Sequence, residues 1–308
     1  MSGRHPALGI TLILTMAACF ATLDTSVKYL GAALPVLVIL WSRYLFQAVV
    51  MLVWQGRRGW AGFRAARPGF QLLRGTLLLS TSCLSFFGLQ YLPVAEFTAI
   101  AMLTPVMVTL LAATVLHEKV SRLRWVLVGT ALAGALMVVR PGSGLFGWAA
   151  AFPLGLTVAY AAFQVLTSRF ASVEDPYTTH FYTGLVGAVA ASAALWVSPL
   201  DGWGTLLHAR APDLGLLLLV GAMGTLGHLC LILALGMAPA STLMPFSYSA
   251  LVFATLGGAL VFRHVPDGWA MAGMAVIGAS GAASVWLNMR EHLQHRPVSP
   301  VAADTVGD

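Results

Sequence analysis

The sequence predicts an all-α membrane protein of ten transmembrane helices, arranged as two inverted five-helix repeats. Composition is the first sign: 58% of the 308 residues are hydrophobic and 9% charged, against roughly 25% charged in soluble domains. Ten apolar runs of spanning length are the second, since a bilayer core asks for about 20 mainly apolar residues per helix. The third is that the last five runs echo the first five. The runs lie at 8–27, 34–54, 71–91, 94–116, 123–140, 146–168, 177–198, 214–236, 240–262 and 268–289.

Taken in order, the first run follows Arg4 and contains Met16-Ala17-Ala18-Cys19, close to the pattern of a cleaved leader. Its counterpart in the second half argues that it is retained. Asp24 and Lys28 stand four residues apart on one face. They form an interfacial pair, or else Asp24 is a titratable carboxylate that couples proton movement to transport. The second run places Arg43 eight residues past Pro35, about 12 Å along a helix rising 1.5 Å per residue. An arginine at that depth costs at least about 2.5 to 3.5 kcal/mol. It therefore faces a wet cavity, where it binds solute or gates, or it meets an acidic partner such as Asp24 or Glu96.

Glu96 follows Pro93 in the first turn of the fourth run, where a carboxylate suits the positive helix end and proline the first position. Tyr160 and Gln164 share a face of the sixth run, and His180, Tyr182, His228 and Tyr248 add hydrogen-bonding groups to the seventh, eighth and ninth. Such groups suit a pocket for an amphipathic solute, and they equally suit packing between membrane helices. Pro105, Pro153 and Pro245 fall within spans and break backbone hydrogen bonding there, as gating kinks would. The small residues Gly129, Ala133, Gly134, Gly278, Gly281 and Ala282 let the fifth and tenth runs pack closely, within one chain or between two copies in a homodimer. Cys19, Cys83 and Cys230 lie inside spans without metal-ligand spacing. Residues 291–308 read as a disordered cytoplasmic tail with Pro297 and Pro300.

The repeat is weak but continuous. At an offset of 146, LLRGTLLL from Leu72 lies over LLVGAMGT, pairing Gly75 with Gly221, and YLPVAEF lies over MAPASTL, pairing Pro93 with Pro239. Downstream, Trp125, Gly129 and Gly134 match Trp269, Gly273 and Gly278, and an offset of 141 matches Lys28 and Pro35 with Arg169 and Pro176. Residues 1–142 thus form a first repeat and 143–290 a second. Five helices is an odd number, so the second half enters the bilayer from the opposite side. Inverted repeats of this kind set a solute site near the midplane, between halves that alternate access.

The net charge of +6 follows topology, which argues against a nucleic-acid partner. With the N-terminus inside, inner segments hold Arg4, Arg57, Arg58, Arg64, Arg67, Arg74, Lys119, Arg122, Arg124, Arg169, Arg290 and Arg296, and outer ones hold Lys28, Arg140, Arg210 and Arg263. Twelve against four puts both termini in the cytoplasm.

FATLDTSVKYL in the first run, LWSRYLFQ in the second, the long stretch YLPVAEFTAIAMLTPVMVTLLAATVLHEKVSRLRW and GTALAGALMVVRPG together resemble the EamA-type family of the drug/metabolite transporter superfamily, over residues 8–289. The resemblance implies ten helices around a central cavity in a bacterial inner membrane, and transport of small metabolites without nucleotide hydrolysis. It spans amino-acid or metabolite exporters and importers of riboflavin or S-adenosylmethionine. FRHVPDGW departs from the family's acidic-basic turn after the ninth run, so Glu118 and Lys119 receive no transport role. The rival classes are a membrane enzyme and a channel. No HExxH pair, GxSxG elbow, GxxxxGK[ST] loop or pair of metal-spaced aspartates occurs, so neither cofactor nor metal is expected. His117 beside Glu118 lies at a helix end and reads as a solvated turn.

Overall fold

The computed structural model describes residues 6–104, 106–107, 111, 122–140, 147–170, 173–237, 243 and 246–294. All regular elements among them are helical: α1 (Pro6–Leu30), α2 (Val36–Arg57), α3 (Pro68–Tyr91), α4 (Val94–Ala101), α5 (Arg122–Val139), α6 (Ala151–Phe170), α7 (Pro176–Val197), α8 (Gly202–Leu207), α9 (Ala211–Met237), α10 (Ser249–Phe262) and α11 (Gly268–Gln294). Short 3-10 turns at Trp60–Phe63 and Gly147–Ala150 complete the set. Six helices among the described residues are long and apolar enough to cross a membrane, and the chain is a multi-pass membrane protein. The remaining expected spans are described over shorter stretches, Trp125–Val139, Ser249–Phe262 and Gly268–Ala283, with Val94–Ala101 the shortest.

Local chemistry sets several boundaries. Asp175 caps α7 by accepting from the N–H groups of Tyr177 and Thr178 at 3.0 Å each, with Pro176 at the first helical position. Pro68 opens α3 in the same way. The connection at 199–210 is not bare loop, because Asp201 accepts from Gly204 N–H at 2.8 Å and starts α8. In the bilayer no water serves buried hydroxyls, and Thr22, Thr25, Ser26, Thr76 and Ser80 each donate to the carbonyl one turn back.

Helix α1 packs on α9 and α3 on α6, while α2 meets α7, α4 meets α10 and α5 meets α11. Outward faces carry exposed Val49, Leu52, Val53, Leu218 and Leu260, the reverse of a soluble surface. Inside, Tyr44, Phe86, Phe97 and Leu40 form the main core. The close approach between α5 and α11 is made by Gly134 and Gly273: a Cβ on Gly273 would lie 2.6 Å from the Gly134 carbonyl oxygen. Gly129 and Gly278 face open space instead, because they lie on other faces of the same helices.

Pro153 sits in the first turn of α6, straight after the Gly147–Ala150 turn. There its missing N–H costs little, so it begins a helix and does not kink one. Pro105 and Pro245 lie outside the described residues. Just ahead of Pro105, α4 gives way to a turn at Met102 and Leu103, and the Thr104 hydroxyl donates to Ala101 O at 2.7 Å.

At one end of the bundle the 58–67 connection is tied to the start of α7. Arg58 pairs with Asp175 at 3.0 Å, and Glu174 accepts from the N–H groups of Ala66 and Arg67 at 3.3 and 2.7 Å. At the other end Lys28 donates to the carbonyls of Leu89 and Leu92 at 2.8 and 2.9 Å, where the negative end of α3 lies. Glu96 there meets His264 at 2.8 Å. Arg140 meets Asp267.

Candidate transport site

A cavity of about 170 Å³ lies in the middle of the bundle, walled by α1, α2, α3, α4, α6, α9 and α10. Much of its wall is apolar, with Phe20, Leu23, Leu78, Phe86, Phe97 and Leu231. Polar groups converge on it from Asp24, Arg43, Ser82, Ser85, Tyr160, Gln164 and His228. A mostly apolar pocket with a few placed polar groups is what small-molecule sites are made of.

Of the nine side chains expected from the sequence at a solute site, the structure brings Asp24, Arg43, Tyr160, Gln164 and His228 to this cavity. Asp24 accepts a hydrogen bond from the Ser85 hydroxyl at 3.2 Å. It does not pair with Lys28, whose ammonium has turned to the α3 carbonyls. Arg43 is 2% exposed, and its Nε and Nη1 have no hydrogen-bond partner. Its guanidinium carbon lies 4.3 Å from the centre of the Tyr44 ring. Gly224 makes room for it, since a Cβ there would stand 2.9 Å from Arg43 Nε. No ion pair joins Arg43 to Asp24 or to Glu96; Glu96 is taken by His264. The His228 ring packs on Phe20 with centroids 4.7 Å apart, and its Nδ1 lies 3.0 Å from Gly224 O.

The other four lie elsewhere. Glu96 belongs to the end network just described. His180 is buried against Gln47, whose amide nitrogen lies 3.3 Å from His180 Nδ1 and donates to His180 O at 3.1 Å. The Tyr182 hydroxyl donates to Phe63 O at 2.8 Å, tying α7 to the 3-10 turn. Tyr248 packs on α11, where a Cβ on Gly281 would meet its hydroxyl at 1.9 Å. Packing and tethering explain these positions.

Arg74 is the buried group that sequence reasoning missed. Counted among the inner segments, it lies inside α3, six residues past Pro68 and 1% exposed. Its Nε donates to Thr167 Oγ1 at 2.9 Å, and its Nη1 donates to Thr183 Oγ1 at 2.6 Å and Thr179 O at 3.3 Å. The guanidinium stacks 4.6 Å from the Phe163 ring centre. Pro68 was the available signal: a proline at the first helical position starts the helix there and sinks Arg74 about 9 Å into it. Ser82 and Ser85 also escaped notice, because hydroxyls are frequent in membrane helices and only the fold turns these two inward.

Residues 7–140 match the model of the EamA-like transporter family. Relatives align along nearly the whole chain. The S-adenosylmethionine uptake transporter of Rickettsia bellii is 26% identical over 274 residues, covering 88% of this chain and 91% of that protein. The riboflavin transporter of Vibrio cholerae is 28% identical over 292 residues, covering 91% and 93%, and the pseudopaline exporter of Pseudomonas aeruginosa is 26% identical over 270 residues, covering 87% and 93%. A crystal structure 20% identical in sequence superposes with a TM-score of 0.67, covering 92% of this chain and 98% of the other, and shows the same fold. The match to the family model runs through the first five apolar runs, and the relatives align through the rest of the chain.

Proposed function

We propose that this chain is a secondary transporter that carries a small organic metabolite across a bacterial inner membrane by alternating access. The observation that carries the reading is the mid-bundle cavity, apolar in its walls, with Arg43, Asp24, Tyr160, Gln164 and His228 converging on it from four helices. Relatives of nearly equal length are named as transporters, of S-adenosylmethionine, riboflavin and pseudopaline. They include an importer and an exporter by name, so direction and substrate are properties of the individual chain.

The proposed frame is ten spans in two inverted repeats, 1–142 and 143–290, with both termini in the cytoplasm. Packing supports it. If α1, α2, α3, α4 and α5 correspond to α6, α7, α9, α10 and α11, then α1 on α9 and α3 on α6 are one contact made twice, as are α2 on α9 and α3 on α7, while α2 on α7, α4 on α10 and α5 on α11 join equivalents. Glycines support it too. A Cβ on Gly75 would meet Val186 of α7 at 2.7 Å, and one on its partner Gly221 would meet Phe46 of α2 at 2.5 Å. The turn at Trp60–Phe63 and the short α8 occupy matching connections. In such a frame the cavity lies where the halves meet and can open to either side in turn.

Uptake into proteoliposomes tests the proposal, with radiolabelled riboflavin, S-adenosylmethionine and amino acids offered with and without a pH gradient. Time-dependent, saturable uptake of at least one solute class, abolished by Arg43→Ala in a protein that still melts cooperatively, is expected. A broad panel that leaves the vesicles empty and the melting temperature unmoved would sink the reading and reopen the enzyme and channel alternatives.

A further inference from the structure

Among the described residues two arginines are buried between helices, and their surroundings differ. Arg74 is 1% exposed, and the threonine hydroxyls of α6 and α7 take its Nε and Nη1. Each hydroxyl passes the charge on, because Thr167 donates to Phe163 O at 2.7 Å and Thr183 to Thr179 O at 2.8 Å. The cation is thus held by helix carbonyl dipoles, with no carboxylate. Arg43 has no such cage. At 2% exposure its Nε and Nη1 stand without partners on the cavity wall, while Asp24 bonds to Ser85 and Glu96 to His264.

A guanidinium cannot shed its proton to relieve this. Buried N–H groups that lack acceptors are costly, and a solute that accepts from them relieves that cost when it binds. We propose that the transported solute supplies the missing acceptors: the cavity takes a ring-sized amphipathic monoanion, its carboxylate docked on Arg43 and its apolar body against Phe20, Phe86 and Phe97. The volume of about 170 Å³ fits such a body, since a dry cavity of about 150 Å³ holds a benzene ring. Asp24 on the same wall sets the charge number. One carboxylate is neutralised by Arg43, and a second negative charge would face Asp24 unopposed. This assignment rests on the cavity being the solute site.

Equilibrium dialysis of the full chain in lipid nanodiscs against three probes of one shape tests it: 4-phenylbutanoate, its uncharged amide and the dianionic 4-phenylbutylphosphonate. The carboxylate is expected to bind about tenfold or more tighter than the amide, the ratio of a charge-assisted to an ordinary hydrogen bond, and tighter than the phosphonate. Arg43→Gln should erase the preference for carboxylate over amide, and Arg43→Lys, which keeps the charge, should retain part of it. The Gln variant should melt no lower than the wild type, because it removes buried donors that lack acceptors. Equal binding of carboxylate and amide, a preference that survives in Arg43→Gln, tighter binding of the dianion, or no binding of any probe would overturn the anion assignment. Saturable uptake of an uncharged solute such as riboflavin in the same preparation would leave the transporter reading standing while the anion assignment fell.

Discussion

At the scale of single residues, Arg74 and its threonines offer the clearest energetic test. Thr183→Val keeps the shape and removes the oxygen that accepts from Arg74 at 2.6 Å. Hydrogen bonds to charged groups contribute about 1.5 to 3 kcal/mol, so the variant should melt several degrees lower in detergent while solute affinity stays the same. Asp175 provides a pH test. Partial burial opposes its ionisation, yet hydrogen bonds from Arg58 and Thr178 and the nearby guanidinium hold its carboxyl below the ordinary value. A lowered folded-state value means that the pairing stabilises the fold above the ordinary carboxylate range, and that the contribution is lost as pH falls through the lowered value. The melting temperature of the wild type should exceed that of Asp175→Asn near neutrality, and the gap should close below about pH 4. The pair is half exposed and screened by solvent, so the gap itself is small.

At the scale of helices, the sequence announced where most spans run and misjudged how some side chains are spent. The depth of Arg43 was legible because one cation in a long apolar run has nowhere else to go. Lys28 was not: its spacing from Asp24 suggested a pair on one face, but its long stem reaches the carbonyl end of α3, which no spacing within α1 reveals. Tyr182 and Tyr248 read as pocket residues from composition, and which way a helix turns its tyrosines is decided by neighbours distant in sequence. Glycines divide similarly. A methyl at Gly273 would press on the backbone of Gly134, so Gly273→Ala should cost about 1 to 3 kcal/mol by overpacking. Gly278→Ala points into open space and should be neutral or gain up to about 1 kcal/mol from helix propensity. Thermal melting of the two variants side by side separates these outcomes, and equal losses would refute the packing assignment.

At the scale of the whole molecule, charge placement and internal pairing describe one object from two directions. In the proposed frame the twelve-to-four bias of arginine and lysine and the doubled contacts of α1 with α9 and α3 with α6 both fit equivalent helices that run in opposite senses. Reporter fusions test this. Alkaline phosphatase joined after residue 294 should be inactive and green fluorescent protein at the same place bright, as a cytoplasmic C-terminus demands; the reverse pattern would refute the orientation. What the sequence could not carry was the cavity itself, since its wall is assembled from residues of seven helices and no local pattern records that convergence.

The threonine cage of Arg74 has a consequence for how the chain is made. Its partners, Thr167, Thr179 and Thr183, leave the ribosome about a hundred residues after Arg74 itself. Helix α3 has a mean hydropathy of 1.4, against 2.0 for α2 and 2.2 for α9. During that interval it must hold a guanidinium in lipid with nothing to receive it. Biogenesis of the first half therefore waits on synthesis of the second: a nascent chain halted after α5 should leave α3 at the edge of the translocon or the membrane surface, and elongation through α7 should draw it in.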